Sequence, residues 1–377
     1  MMKTRTYVAL MLAVILVLSV GLTGLYVHSQ EPATDSTEDL LVVTSFYPIY
    51  IATINVVGDT EGVTVKNMSE PQTGCLHDYQ MTTEDMRLVS TADVFVVNGG
   101  GIESFIEDVV EQYKNLYLIT ATSNLELISE DDEEEHEHES EKSTTEEDAT
   151  EESTTEESIS EEDATVENTT EESTSGESAT EASTTEESTS DSEEHEHDHG
   201  EVNAHAWMSV SYYRQMVSTI AAELSKADPA HADEYEKNAA AYDEKLAELY
   251  EEEQELATQL NGQDIVIFHE AYAYLAQDLG LDVAYVLDLD EEREVSAGEV
   301  SETLDAINEH EVKYIFAEKT YGEKMGTTME QDSDVTAIYL NPLTRSLEDE
   351  TDAQSYEESD YYLIAMRQNF ELIRENL

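Results

Sequence analysis

Residues 264–275 read Asp264-Ile265-Val266-Ile267-Phe268-His269-Glu270-Ala271-Tyr272-Ala273-Tyr274-Leu275. A short unbroken apolar run suits a strand buried on both faces, as in a parallel sheet. The strand is predicted over Asp264 to Phe268 and a helix over Tyr272 to Leu279. In open α/β sheets, ligands bind beyond the carboxyl ends of strands. His269 stands at that point, and neutral imidazole is a common protein ligand for zinc.

The same alternation extends in both directions. Downstream, strands are predicted at Asp282 to Leu287, Tyr314 to Ala317 and Ala337 to Leu340. Helices are predicted at Ser296 to His310, Glu323 to Glu330 and Ser355 to Asn376. Upstream lie apolar runs at Leu40 to Phe46, Val63 to Val65, Val94 to Val97 and Leu116 to Ile119. Helical stretches at Ile51 to Val57, Thr83 to Ser90 and Ile102 to Gln112 separate them. Strands alternating with helices imply βα units and mainly parallel sheets. Between the two sets, Ser209 to Ala227 reads as a helix ending at Asp228-Pro229. Pro229 suits the first turn of the next helix, with Asp228 as its cap. That helix is predicted over 229–260, about 48 Å at 1.5 Å per residue. The predicted fold class is therefore α/β: two Rossmann-like βα lobes joined by one long rigid helix. The lobes span 40–228 and 261–377.

The 377 residues carry a formal charge of -71, from 88 acidic and 17 basic side chains. Residues 130–201 hold 32 of the acids and only Lys142 among the bases, leaving 56 acids and 16 bases elsewhere. Like charge repels nucleic acid and bare anionic lipid, so neither is an expected partner; cations are. The segment 129–201 is built from near-repeats such as Ser-Thr-Thr-Glu-Glu and lacks the apolar content to repay ordering, so it reads as a disordered acidic insertion. His136 and His138 precede its repeats, and His195, His197 and His199 follow them. Such clusters suit loose metal capture, although a solvated spacer with incidental histidines has the same composition. Cys75 is the single cysteine, so no intrachain disulfide forms. Lys3 and Arg5 precede the charge-free apolar run Tyr7 to Val27, which reads as an export signal or uncleaved membrane anchor over 1–29. No cysteine follows it for lipid attachment. A tether with Pro32 occupies 30–39.

Two further histidines outside the insertion stand in settings of interest: His77 in Cys75-Leu76-His77-Asp78-Tyr79 and His205 in Asn203-Ala204-His205-Ala206-Trp207. Taken alone, each is more often a core histidine than a ligand. Together with His269 they would supply three nitrogen ligands and leave a fourth position open. Asp78 and Glu270 adjoin ligands and are candidates to fix imidazole tautomers, or are solvent-facing or capping acids. Trp207 and Tyr47 read as packing residues. Asn98-Gly99-Gly100-Gly101 lacks the Lys/Ser context of a phosphate cradle and reads as a tight turn.

These pieces, in this order, resemble the metal-binding ABC-importer proteins of the ZnuA/TroA-like group. The resemblance runs through Thr44-Ser45-Phe46-Tyr47-Pro48, His77-Asp78-Tyr79, Ala92 to Gly99, His205-Ala206-Trp207, Asp228-Pro229 and Phe268 to Leu275. It continues through Val312 to Glu318, Asn341-Pro342-Leu343 and Met366 to Asn369. It covers the chain from about residue 40 to the end, apart from the insertion. It implies metal clamped between the lobes by His77, His205 and His269, with zinc favoured over manganese because the third ligand is nitrogen. The chain departs from the family pattern where an acid would stand, with Asn341, Leu76 and Thr344 at those places. The fourth position is left to water, to Glu318 or to another residue.

The resemblance implies an extracytoplasmic, cell-surface receptor, monomeric, that captures Zn(II) and passes it to an ABC permease. Such a protein is not an enzyme. A zinc hydrolase is the alternative, since three histidines and a water can also be catalytic, but no His-Glu-x-x-His helix occurs and Glu270 is the one sequence-adjacent base. A surface metal-buffering or interaction protein acting through the insertion is the other alternative.

Overall fold

The computed structural model describes residues 39–69, 76–129, 202–289, 295–344 and 356–377. The N-terminal apolar run, nearly all of the tether, Cys75 and the insertion with its five histidines lie outside these residues.

The first half contains β1 (Leu40–Thr44), α1 (Tyr47–Val57), β2 (Val63–Asn67), α2 (Thr83–Val89), β3 (Val94–Val97), α3 (Ile106–Gln112) and β4 (Tyr117–Thr120). Next come α4 (Val210–Ala227) and the long α5 (Ala232–Leu260). The second half holds β5 (Asp264–Ile267), α6 (Ala273–Asp278), β6 (Asp282–Val286), α7 (Ala297–Glu309), β7 (Tyr314–Ala317), α8 (Lys319–Asp332) and β8 (Thr336–Tyr339), before the closing α9 (Tyr361–Asn376). Each half forms a four-stranded, all-parallel sheet, with order β2-β1-β3-β4 in one and β6-β5-β7-β8 in the other. The α/β class with two parallel βα lobes is as the sequence predicts.

Local chemistry sets the helix starts. Thr82 and Asp85 form a reciprocal capping box on α2, and Ser296 and Glu299 do so on α7. Ser209 Oγ accepts the Tyr212 N–H at 3.1 Å to cap α4. The long helix begins at Ala232 rather than at Pro229. Asp228 does not cap it: Asp228 Oδ2 instead meets His231 Nδ1 at 2.6 Å and accepts from the Tyr235 hydroxyl at 2.9 Å. The helix has 29 residues, so its length is about 44 Å. α8 starts four residues before its predicted position because tertiary packing overrides the low helix propensity of its glycines. A Cβ at Gly322 would lie 2.8 Å from Ala317 Cβ, and one at Gly326 would lie 2.5 Å from the Tyr339 hydroxyl. Both glycines let α8 lie close against β7 and β8.

The long helix is not a bare rod. Its buried face is Tyr235, Ala239, Tyr242, Leu246, Leu249, Glu253, Leu256 and Leu260. This spacing of three and four makes one buried stripe, apolar except at Glu253. One continuous core runs from Val42 and Trp207 through Tyr213 and Leu249 to Ile265 and Phe370, joining both halves. Tyr213 of α4 stacks on Tyr362 of α9, with centroids 3.6 Å apart and rings 5° from parallel. Asn55 Nδ2 of α1 donates to Ser359 O at 2.8 Å, and Lys245 of α5 pairs with Asp360 at 2.9 Å. The last segment of the chain is thereby fastened to the first half as well as to the second.

The sheet orders fix where chemistry can occur. β1 and β3 are neighbours whose connections leave in opposite directions, and so are β5 and β7. Crevices open beyond such switch points at the carboxyl ends of strands. Ser45 and Asn98 occupy that place in the first half, and His269 and Glu318 follow β5 and β7 in the second.

Candidate metal centre

The loop after β2 carries His77, on a short turn at Leu76–Asp78. The segment preceding α4 carries His205, and the end of β5 leads into His269. The three rings meet around His205: its centroid is 5.3 Å from that of His77 and 5.1 Å from that of His269. His205 is 3% exposed, and Trp207 stands 5.0 Å away, ring to ring. Burial, then the adjacent His269 and His77, hold the His205 imidazole well below its usual pKa of 6.5. The ring is therefore neutral at pH 7, the form that binds metal.

Asn203 fixes this ring. Its Oδ1 lies 3.1 Å from His205 Nδ1 and accepts the His205 backbone N–H at 3.0 Å. An amide oxygen only accepts, so Nδ1 carries the proton and Nε2 keeps its lone pair. Asn203 Nδ2 donates to Glu270 O at 2.9 Å, and Asn203 O accepts the Tyr274 hydroxyl at 2.8 Å. One asparagine thus ties the first-half ligand to the second-half loop. Beneath it, Asn98 Nδ2 donates to Ala204 O at 2.9 Å. The glycine turn has positive φ at Gly99, Gly100 and Gly101. Its first N–H groups go to Glu103, whose carboxyl oxygens accept from Asn98 N at 2.6 Å, Gly99 N at 2.9 Å and Ser45 Oγ at 2.7 Å. The turn is a cradle filled by the chain's own carboxylate, which agrees with reading it as structural.

Glu270 follows His269 in sequence yet faces His205: its Oε1 is 3.4 Å from His205 Nδ1. One ligand atom from each of His77, His205 and Glu270 lies within 4.8 Å of the others. Adjacency in sequence suggested Glu270 as a partner for its neighbour; the turn at Glu270–Tyr272 carries it across to the other half's histidine. His269 Nδ1 accepts the Ala271 N–H at 3.0 Å, which places the proton of a neutral ring on Nε2. To offer Nε2 to a metal, this ring must give up that cap. The side chain of Asp78 lies outside the described residues. Tyr47 packs edge-on against Tyr361, 4.8 Å between centroids, and Trp207 Nε1 donates to Pro342 O at 2.9 Å.

A small pocket of about 20 Å³ adjoins the rings, with His205, His269, Tyr272, Glu318, Pro342 and Thr344 among its walls. That is room for about one water or one ion. Asn341 is not on this wall: its Oδ1 accepts the Leu343 N–H at 2.8 Å, and Asn369 holds its backbone at 2.8 Å on both sides. Leu343 is held at φ 66°, and the turn presents Thr344 to the pocket. Asn203 and Asn369 were not legible as positioning residues, since each contact joins segments far apart in the chain.

Residues 42–376 match the model of the family described as zinc-uptake complex component A, periplasmic (ZnuA). The chain belongs to this family. It is 26% identical over 337 residues to the zinc-binding protein AdcA of Streptococcus pyogenes serotype M3, covering 88% of this chain and 55% of that one. It is 24% identical over 357 residues to the high-affinity zinc uptake system protein ZnuA of Bacillus subtilis, covering 93% and 91%. The chain thus spans about half the length of the streptococcal relative it matches. Among solved structures, Zn(II)-bound AdcA of Streptococcus pneumoniae superposes with a TM-score of 0.62 at 23% identity, over 90% of this chain and 57% of that one. FpvC of Pseudomonas aeruginosa in complex with Ni2+ gives 0.62 at 21%, over 89% and 96%. These two show the fold. The family is one of metal-binding solute-binding proteins rather than enzymes.

Proposed function

We propose that this protein captures Zn(II) outside the cytoplasm between its two lobes, 40–228 and 261–377, and delivers it to an ABC permease in the membrane. His77, His205 and His269 are the ligands, and zinc is the substrate rather than a resident cofactor. The carrying observation is the meeting of three imidazoles from three separate loops around a buried, neutral His205. Nitrogen-rich sites favour zinc over manganese. Tetrahedral ligands at zinc–nitrogen distances of ~2.0–2.1 Å sit roughly 3.3 Å apart. His77 and His205 each place a ligand atom within 4.8 Å of the other and of Glu270, and His269 must turn its ring to add Nε2 to them.

The five insertion histidines are proposed to add weak zinc sites, and an N-terminal signal or anchor to keep the protein at the cell surface. Zinc-edge absorption on the full chain, with weak sites stripped by a competing chelator, tests the ligand set. One zinc with three nitrogen neighbours is expected, and His205→Ala is expected to abolish it. Tight zinc surviving His205→Ala refutes the assignment.

A further inference from the structure

Three imidazoles leave a tetrahedral metal one ligand short. The pocket wall beside His205 and His269 carries a threonine hydroxyl with no protein partner among the described residues. Thr344 is 5% exposed and lines the pocket with His205 and His269. Its Oγ1 is buried and has no hydrogen-bond partner among the described residues. A hydroxyl withdrawn from water without a partner is costly, and buried polar groups are almost always paired. The neighbouring turn spends three hydrogen bonds on holding Thr344 there, through Asn341 and Asn369. The pocket has room for a water-sized group.

We propose that Thr344 Oγ1 binds the fourth ligand of the captured metal, a metal-bound water that a small monodentate anion can replace. The proposal rests on the zinc reading above. A hydroxyl both donates and accepts, so it accepts from a bound water and donates to a bound anion equally well. A neutral water leaves the metal's charge less compensated than a carboxylate ligand would. It also leaves one position exchangeable, which suits a protein that must give its metal up. Thr344 would thus set how readily zinc leaves, without touching the metal itself.

The test compares Thr344→Val, which keeps the shape and removes the hydroxyl, with Thr344→Ser, which keeps the hydroxyl. Zinc affinity of the full chain is measured by chelator competition. The Co(II)-loaded protein is followed by visible absorption with and without azide. Loss of one hydrogen bond to the ligand water predicts about threefold to tenfold weaker zinc binding in Thr344→Val. An altered Co(II) band and a weakened azide response are expected with it. Thr344→Ser should behave as the unaltered chain. The metal-free Thr344→Val protein should melt at the same or a higher temperature, because the unpaired hydroxyl is gone. A purely structural threonine would move stability and affinity together, not in opposite directions. If Thr344→Val keeps the original zinc affinity and Co(II) spectrum while His205→Ala loses zinc, this inference falls and the zinc reading stands. If Glu318→Gln alone shifts both readouts, the water belongs to Glu318 and the proposal is overturned. If His205→Ala keeps tight zinc, the zinc reading itself fails.

Discussion

Replacing Glu253 by glutamine should stabilise the metal-free protein, by an amount that grows with pH. Glu253 sits midway along the long helix, fully buried, and neither carboxylate oxygen meets hydrogen-bond geometry with a described group. Burial first, then the neighbouring Asp278, push its pKa up from 4.5 to about 9, and the Val210 N–H at the start of α4 offsets only part of this. Asp278, bonded to Ser209 Oγ at 2.6 Å, is itself raised by burial. The folded state therefore binds a proton that the unfolded state releases above pH 4.5. Stability is fully present below that value and declines as pH rises toward 9. One unit of pKa difference corresponds to about 1.4 kcal/mol, so the 2.5 or so units between 4.5 and neutrality cost roughly 3 kcal/mol at pH 7. Glutamine has the same shape and no charge to neutralise. Burying its amide recovers less than the whole, so a gain of about 1–3 kcal/mol at pH 7 is expected. Urea denaturation of both proteins at pH 5, 6, 7 and 8, free of metal, reads this directly. The two stability curves should diverge with rising pH, by up to about 1.4 kcal/mol per unit. Parallel curves would show that Glu253 is not the protonated group the burial implies.

Three further outcomes are expected. Asn203→Leu should weaken zinc binding about tenfold or more, by the size of effect seen when a partner that orients a metal-ligating histidine is lost. Asn203→Asp, which keeps the acceptor for His205 Nδ1 but loses the donor to Glu270 O, should lose less; equal losses would mean the tie to Glu270 is what matters. Gly99→Ala should destabilise the fold by about 1–3 kcal/mol in thermal or chemical melts, since φ is 89° and the new Cβ would meet Thr120 Cγ2 at 2.4 Å; an unchanged melt would discount the strain. Zinc loading should leave the radius from solution scattering nearly unchanged, because one core joins both halves along the helix. Hydrogen exchange should instead change at the His77 loop and at the Ala271 amide, whose partner His269 Nδ1 moves away; a large swing of overall dimensions would refute the stiff link.

What the sequence by itself determined follows from periodicity and local chemistry. Short apolar runs alternating with helical segments specify two parallel βα units, because those runs fit only strands covered on both faces. The capping boxes at Thr82 and Ser296 are four-residue signals, legible without any long-range contact. Strand ends are also local, which is why the position of His269 at the mouth of a sheet is legible in the sequence. Tertiary structure decided the rest, because the deciding contacts join residues distant in the chain. Which histidine lies at the centre depends on loops from three strands converging on His205. Glu270, the sequence neighbour of His269, reaches the His205 ring. Asp228 turned to His231 and Tyr235 rather than capping the helix, a choice between partners that spacing does not settle. Helix α8 formed through two glycines because β7 and β8 lie against them, a contact invisible to propensity. Asn341 became a brace and Thr344 the pocket wall because Asn369, 28 residues on, returns to hold the turn.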